Sequence, residues 1–361
     1  MEKWIAQSQL IKPLDPAWRM RAKRRLAEQT RPEGSLGQLE VMMEQAVAIQ
    51  EREKPSFDRK RILIFASDHG VEAEGVSCYP REVTRSMVDN FIQGGATINA
   101  LARQIGAEVF VVDIGVDGEL KPAAQLIQAK IARGTRNFIL EPAMNPFELD
   151  QAFRVGWHMA SRAKEDGIDL LALGEMGIGN TTAASAVVAA LLEVKPELVT
   201  GRGTGINEEM LRHKIEIIEQ AIERHARSLR DPLSILQHLG GYEIAALTGA
   251  ILSGANLRLP IVVDGWVVAS AVLVASRLNA HVLDYLFFGH QSEERGHRLV
   301  LESLRAKPLL DLSMRLGEAS GAAFAMAILD ASIRIYNEVA TFQEAAVSKR
   351  KDLERTVLNS S

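Results

Sequence analysis

The sequence predicts an α/β fold with an open, parallel, Rossmann-like sheet, helices on both faces, and a small helical lobe. Five short apolar runs alternate with longer stretches of helical pattern, which is typical of parallel sheets. Most of these runs are continuously apolar, as expected for strands covered on both sides. The 361 residues are 47% hydrophobic and only 5% aromatic, so small side chains must pack a large core.

The order of the elements predicts the domain organisation. The predicted strands are residues 61–67, 108–115, 169–175, 259–265 and 281–289. The helical patterns between them cover residues 82–104, 146–166, 181–193, 207–228, 241–255 and 266–278. Residues 1 to about 50 also read as helical, with Asp15 and Pro16 at the start of one helix, and the C-terminal part reads as helical almost to its polar end. We expect an α/β domain over residues 55–330, and a helical lobe from residues 1–54 and 331–361.

Charge and composition exclude several classes of protein. The net charge of −4 gives no basic field for a nucleic acid. The single cysteine, Cys78, excludes an intramolecular disulfide framework and suits a reducing compartment. The N-terminal sequence lacks the apolar region of a signal peptide, and the most apolar stretch, residues 261–275, is too short to span a bilayer and contains Asp264. We expect a cytoplasmic protein without a membrane span.

A glycine-rich turn follows the predicted strand at 169–175. In "LGEMGIGNTT" (residues 173–182), exposed backbone N–H groups would meet the positive end of a helix dipole, which favours an anion. A bound monophosphate, helped by the hydroxyls of Thr181 and Thr182, is one interpretation. A tight turn capped by Asn180 or Thr181 is the other. A dinucleotide fingerprint is disfavoured because Thr182 occupies its third glycine position, and no P-loop motif is present.

A second glycine-rich run, "VTGRGTGI" (residues 199–206), precedes a predicted helix. It offers further backbone amides and Thr204, with Arg202 and Lys214 as nearby cations. Lys214 alone would usually be a surface lysine. Two such runs together favour a phosphate or a phosphosugar over either run alone.

Two further candidates concern metals and catalysis. The eight histidines, His290 and His297 among them, form no metal-binding motif, so we predict no metal. Glu318 begins a helix of small residues in "RLGEASGAA". A carboxylate there either complements the helix dipole or serves as a general base in an apolar surround.

Ordered motifs give the sequence a strong family resemblance. They run from "RPEGSLGQLE" through "SDHGVEAEGVSCYPREVT", "DIGV", "GTRNF", "LGEMGIGNTTAAS", "VTGRGTGI", "DGWVVASA", "HQSEERGH" and "RLGEASGAA", and they cover residues 31 to about 335. In this order they resemble the nicotinate-nucleotide–dimethylbenzimidazole phosphoribosyltransferase family. The resemblance implies a homodimer that transfers the phosphoribosyl group of nicotinate mononucleotide to a benzimidazole-type base, without a cofactor or a metal.

The resemblance also implies roles for individual residues. The 5′-phosphate would contact the turn formed by Gly177, Ile178, Gly179, Asn180 and Thr181, with Gly203, Thr204 and Lys214 around it. The base would lie under the loop "VSCYPREVT", where Ser77 and Tyr79 line a flat slot, and Asp264 and Ser292 would lie near the nicotinate and the ribose. Glu318 would be the catalytic base, supported by Glu175. Cys78 stands where a smaller residue is expected, which puts base selectivity in question.

Two other functions remain open from the sequence. A non-catalytic nucleotide- or phosphosugar-binding module could keep both glycine runs, although the presence of Glu175 and Glu318 speaks against it. An NAD-dependent oxidoreductase is disfavoured by the incomplete dinucleotide fingerprint.

Overall fold

A six-stranded sheet forms the centre of the molecule. The structure, a computed structural model, describes residues 1–348. The sheet has the strand order β3-β2-β1-β4-β5-β6, and every neighbouring pair is parallel. Its strands are β1 (Lys60–Ser67), β2 (Ala107–Gly115), β3 (Leu126–Gln128), β4 (Leu170–Met176), β5 (Ile261–Val263) and β6 (Leu286–Phe288). A separate short parallel pair consists of β7 (His290–Gln291) and β8 (Leu310–Asp311).

Helices connect and cover these strands. In the first half of the chain they are α1 (Glu2–Ser8), α2 (Pro16–Glu28), α3 (Gln38–Gln50), α4 (Glu82–Gln93), α5 (Thr97–Ile105), α6 (Pro146–Glu165) and α7 (Asn180–Leu192). In the second half they are α8 (Pro196–Val199), α9 (Glu208–His225), α10 (Pro232–Leu239), α11 (Tyr242–Asn256), α12 (Trp266–Leu278), α13 (His297–Ser303) and α14 (Ser320–Glu338). No helix within residues 1–348 is long and apolar enough to cross a membrane.

Both faces of the sheet are covered, as the continuous apolar runs predict. Successive strand residues point to opposite faces, and every residue of β1 is buried. Helix α11 contacts β1, β2 and β5 and packs closely on α6, whereas α14 contacts β4 and β5 and packs on α3 and α5. The predicted parallel, Rossmann-like sheet is confirmed.

Several predicted elements differ from the structure in detail. The predicted helix over 82–104 is divided into α4 and α5 by Gly94, whose φ of +78° ends the first helix. Residues 281–285 of the predicted last strand instead belong to a 3₁₀ helix (Ala280–Tyr285), and only Leu286–Phe288 pair with β5. Strand β3 was not predicted, because three residues are too few to establish a pattern.

The N- and C-terminal helices pack against each other. Ala22, Leu26, Met43, Val47 and Tyr336 form a small apolar cluster outside the main core. The side chain of Arg25 donates to the carbonyl oxygens of Tyr336 and Asn337, at 3.0 and 3.1 Å. The predicted domain boundary at residue 330 falls inside α14. Residues 349–361 of the predicted helical lobe lie outside the described residues. The division into two domains therefore stays a prediction.

The strand order fixes where a ligand can bind. From β1 the chain proceeds to β2 and β3 on one side, and from β4 to β5 and β6 on the other. The carboxyl ends of β1 and β4 therefore lie side by side at the point where the order reverses. In open α/β sheets, this switch point opens a crevice between the connecting loops.

Candidate active site

A cavity of about 570 Å³ opens at the carboxyl ends of the central strands. All of the predicted site residues except Lys214 line it, namely Ser77, Tyr79, Glu175, Gly177, Ile178, Gly179, Asn180, Thr181, Gly203, Thr204, Asp264, Ser292 and Glu318. Residues that the sequence did not single out complete the wall, among them Val76, Val83, Met87, Thr97, Met176, Trp266, His290, Glu294, Arg315 and Leu316. The fold thus brings together loops that are far apart in the chain.

Some of the backbone N–H groups in the glycine turn after β4 are already hydrogen-bonded within the protein. The N–H of Ile178 donates to Thr84 Oγ1 at 3.0 Å, and those of Asn180 and Thr182 donate to the carbonyls of Gly177 and Gly179. Within residues 1–348, the N–H groups of Gly179 and Thr181 have no acceptor. The turn therefore offers two free backbone donors at the start of α7, where the helix dipole favours an anion.

Glycine is required at position 177 because the turn packs closely on β1, not because a ligand needs the space. A Cβ at this position would lie 2.1 Å from the carbonyl oxygen of Ser67 in β1. Gly179 has a φ of +93° and is the N-cap of α7, a conformation that favours glycine. A larger residue at 177 would push the turn off the strand, so such a variant cannot report on ligand binding alone.

Lys214 lies behind the turn rather than in the cavity wall. Its side chain is buried, and Nζ donates to Thr181 Oγ1 at 2.8 Å. Burial lowers the pKa of this lysine to about 8, and the negative charge of Glu294 opposes that shift. The second glycine run reaches the same point, since a Cβ at Gly203 would lie 2.8 Å from Thr181 Oγ1. The ammonium group of Lys214 and both glycine runs therefore meet at Thr181.

Glu318 lies on a left-handed turn at the start of α14. Gly317, Glu318 and Ala319 have φ values of 84°, 62° and 63°, which is unusual for the two non-glycine residues. The turn contacts β4 directly, because a Cβ at Gly174 would lie 2.5 Å from the backbone nitrogen of Ala319. Such strain persists only where the surrounding structure enforces it, and it often marks functional residues.

Two buried carboxylates face the cavity from neighbouring segments. Burial raises the pKa of Glu318 to about 7 against the opposing backbone N–H of Ile98, and its Oε2 has no hydrogen-bond partner within residues 1–348. Burial, then the charge of Asp264, raises the pKa of Glu175 to about 8, although the amide of Asn180 donates to its Oε2. Of the two, Glu318 is the carboxylate with an oxygen, Oε2, that no described group hydrogen-bonds.

Asp264 has a structural task that the sequence did not reveal. Its Oδ1 accepts the N–H of Ala322 at 3.0 Å, and the N–H groups of Gly321 and Gly265 also stabilise its charge. His290 Nε2 lies 3.8 Å from the same oxygen. The side chain therefore joins the end of β5 to the first turn of α14. Burial nevertheless raises the pKa of this carboxyl above its usual range.

The other side of the cavity is formed by a more exposed loop. The N–H of Cys78 donates to Thr204 Oγ1 at 3.2 Å, and that of Tyr79 donates to Ser77 Oγ at 3.1 Å. The Tyr79 side chain is 52% exposed, and Cys78 is exposed as well. Apolar side chains such as Met87 and Leu316 complete a wall suited to a flat ring.

A buried pair beneath the turn escaped the sequence analysis. His69 Nε2 and Glu243 Oε1 are 2.7 Å apart, and both side chains are fully buried. The Cβ of His69 would lie 3.1 Å from a Cβ at Gly179, so the histidine supports the turn from below. The motif "SDHG" was visible in the sequence, but Glu243 is 174 residues away from His69.

No group of three or more histidine, cysteine, aspartate or glutamate side chains within residues 1–348 is arranged to hold a metal ion. His290 and His297 do lie together, with ring centroids 6.3 Å apart. The backbone N–H of Ser292 donates to His297 Nδ1 at 2.8 Å, and burial lowers the pKa of His297 to about 3. His297 is thus a neutral structural residue, and the absence of a metal stays a prediction.

Comparison with known proteins places the chain in a family. Residues 11–347 match the profile of a family described as phosphoribosyltransferase. The chain is 48% identical over 339 residues to the nicotinate-nucleotide–dimethylbenzimidazole phosphoribosyltransferase of Geotalea uraniireducens, covering 94% of this chain and 96% of the relative. The enzyme of the same name from Chlorobaculum parvum is 47% identical over 342 residues, covering 95% of this chain and 97% of that enzyme.

The chain belongs to the nicotinate-nucleotide–dimethylbenzimidazole phosphoribosyltransferase family. A solved structure agrees with this assignment: CobT from Thermus thermophilus superposes with a TM-score of 0.89 at 45% identity, over 93% of this chain and 100% of that chain. The resemblance seen in the sequence motifs is confirmed.

The raised pKa of Glu175 predicts how the stability of this phosphoribosyltransferase depends on pH. A carboxyl whose folded pKa is about 8, against 4.5 for the exposed group, binds more protons in the folded state between these values. The free energy of unfolding should therefore fall as the pH rises through this window, by up to about 1.4 kcal/mol per pH unit for one group. We expect Glu175→Gln to flatten this fall in urea unfolding at pH 5 and pH 8.

Glu219, exposed on α9, provides the control for this experiment. Glu219→Gln should leave the pH dependence of the wild type unchanged. An unchanged slope in Glu175→Gln as well would mean that Glu175 is not the group that titrates.

Proposed function

We propose that this phosphoribosyltransferase acts in the assembly of the cobalamin nucleotide loop, on nicotinate mononucleotide and 5,6-dimethylbenzimidazole or a related base. The products are nicotinate and α-ribazole 5′-phosphate. The observation that carries the proposal is the position of Glu318, a carboxylate with a raised pKa whose Oε2 has no partner within residues 1–348, in the same cavity as two glycine runs. An anion site and a proton acceptor then face one another across a space large enough for two rings.

The 5′-phosphate binds between the glycine runs. The N–H groups of Gly179 and Thr181, both residues of the cavity wall, donate to it, and the hydroxyl of Thr181 links it to the cation of Lys214. Gly203 and Thr204 close the subsite from the other side. Fixing the phosphate and the ribose removes much of the entropic barrier to displacement at C1′.

The base lies between the exposed loop and the turn that carries Glu318. One ring nitrogen of the base attacks C1′ of the ribose, and the bond from C1′ to the nicotinate nitrogen breaks. The other ring nitrogen must lose its proton, and Glu318 accepts it before it passes to solvent. The unpartnered Oε2 of Glu318 is free to receive this N–H.

Glu175 supports Glu318 from behind. A Cβ at Gly317 would lie 2.6 Å from Glu175 Oε1, so this carboxyl is in contact with the turn that carries the base. With a pKa of about 8 it is largely protonated at neutral pH, and Glu318 can then ionise without a second full charge beside it. Asp264 acts on the turn through its backbone hydrogen bonds, and Ser292 lies near the ribose.

Incubation of the purified chain with nicotinate mononucleotide and dimethylbenzimidazole tests the proposal directly. Release of nicotinate together with a phosphoribosylated base, followed by chromatography, is the expected result. Tight binding of the nucleotide without release would indicate a binding module instead.

The proposed base predicts a large loss of turnover in Glu318→Gln. Glutamine keeps the size of the side chain but cannot accept a proton, and the loss of a general base typically lowers rates about 10²–10⁴-fold. We expect kcat to fall at least about a hundredfold, while the affinity for nicotinate mononucleotide in calorimetry changes little. In the wild type, kcat should fall as the pH drops through about 7, because Glu318 is then protonated. Near-normal turnover by a correctly folded variant would assign the proton to another group.

The position of Lys214 predicts that nucleotide affinity depends on pH. This lysine is charged below its pKa of about 8 and neutral above it, so phosphate binding should weaken as the pH rises through this value. Lys214→Met should bind nicotinate mononucleotide at least about tenfold more weakly at pH 7, and its affinity should decline less between pH 7 and pH 9 than that of the wild type, since only the wall carboxyl groups then titrate. Calorimetric titration measures both effects, and a decline in the variant as steep as that of the wild type would contradict the assignment.

The proposal includes a homodimeric enzyme in the cytoplasm, with the helical lobe and the α/β domain as its two parts. Family membership supports the dimer, and several large apolar side chains are exposed, Leu140 and Phe147 among them. Light scattering should give a mass of about twice 39.6 kDa. A single species at the monomer mass at micromolar concentration would exclude the dimer.

A further inference from the structure

The cavity is strongly acidic, and one exposed arginine stands out in it. Its wall includes the carboxyl groups of Glu175, Asp264, Glu294 and Glu318. Among the described residues that line the cavity, Arg315 is the one lysine or arginine. Lys214, the other cation nearby, lies behind Thr181.

The substrate of the proposed reaction carries two anionic groups, whereas the base is neutral. The phosphate is matched by the glycine turn and Lys214. The carboxylate of the nicotinate ring has no such match in an acid-lined cavity, where an unpaired negative charge is unfavourable. A guanidinium can bind a carboxylate through two parallel hydrogen bonds. We infer that Arg315 recognises the nicotinate carboxylate and thereby selects nicotinate mononucleotide over nicotinamide mononucleotide.

A backbone contact holds the guanidinium of Arg315 at the cavity wall. Its Nη1 donates to the carbonyl oxygen of Gly203 at 3.0 Å, which ties the segment before Glu318 to the second glycine run. Arg315 forms no ion pair within residues 1–348, so its other N–H groups are available for a ligand. It also lies three residues before the catalytic carboxylate, on the same loop.

The chemistry gives this contact a role in the chemical step. In the bound nucleotide the positive charge of the pyridinium ring offsets the carboxylate. When the bond from C1′ to the ring nitrogen breaks, the ring becomes neutral and the leaving nicotinate carries a net negative charge. The attraction to Arg315 therefore increases toward the transition state, and such contacts raise kcat. The neutral leaving group of nicotinamide mononucleotide gains nothing from this contact.

The inference rests on the proposed function and is tested by comparing the two nucleotides. We expect Arg315→Gln to lower kcat/KM for nicotinate mononucleotide at least about tenfold, mainly through kcat, and for nicotinamide mononucleotide less than about threefold. Arg315→Lys keeps the positive charge but cannot form two parallel hydrogen bonds. Its kcat/KM for nicotinate mononucleotide should therefore lie between those of the wild type and Arg315→Gln. Inhibition by free nicotinate should weaken in the same order.

Arg202 in the same glycine run supplies the matched control. Its guanidinium donates to the carbonyl oxygen of Ile206 at 2.9 Å and pairs with Glu208 at 2.5 Å, and it does not line the cavity. Arg202→Gln should leave the preference between the two nucleotides unchanged.

Each other outcome contradicts the inference. An equal loss with both nucleotides would assign Arg315 to the phosphate or to the loop alone, and unchanged kinetics would give it no role. A wild-type chain that releases no nicotinate would contradict the proposed function instead. In that case, calorimetric titration with nicotinate and nicotinamide, in the wild type and in Arg315→Gln, still decides whether Arg315 selects the carboxylate.

Discussion

The buried carboxylate of Asp264 is the contact on which the rest of the site depends. It accepts the N–H of Ala322 and is stabilised by those of Gly321 and Gly265, so the end of β5 is tied to the start of α14. The left-handed turn that carries Glu318 cannot relax to a less strained conformation, because the start of α14 is fixed and Ala319 contacts Gly174 of β4. The sheet therefore holds both the strained backbone of this turn and the buried carboxylate of Glu318 in place.

The same arrangement explains the electrostatics of the cavity. Burial is the largest cause of the raised pKa values of Glu175, Asp264 and Glu318. The charge of Asp264 also opposes the ionisation of both glutamates, and that of Glu318 opposes the ionisation of Glu175. The carboxyl groups of such a site bind protons more tightly than exposed ones do. This suits a reaction in which a carboxylate must remove a proton from a neutral base. The cation proposed for the phosphate is buried behind the wall beside Thr181, where the negative charge of Glu294 favours its charged form.

The sequence predicted much of this site but not its internal hydrogen bonds. The continuous apolar runs predicted a covered parallel sheet, and the glycine runs and Glu318 lie on loops that the fold brings into one cavity. Nothing in the pattern could show that the Ile178 N–H is used by Thr84, or that Gly177 is required by contact with Ser67, because both partners come from distant parts of the chain. The pair of His69 and Glu243 was hidden for the same reason: long-range contacts leave no periodic signal.

The two halves of the cavity differ in how freely they can change. On the proton side, Glu175, Asp264 and Glu318 are buried, and Asp264 is fixed by backbone hydrogen bonds, so a substitution there alters the turn or the charge of the wall. On the base side, Ser77, Cys78 and Tyr79 lie on an exposed loop that contacts Thr204 through the Cys78 N–H and the Ser77 hydroxyl. Cys78 itself does not line the cavity, so a substitution there reaches the slot for the base only through the positions of Ser77 and Tyr79 and leaves the groups proposed for the chemistry in place. Selectivity for the base and the transfer step are thus separable in this fold, because they rest on different loops.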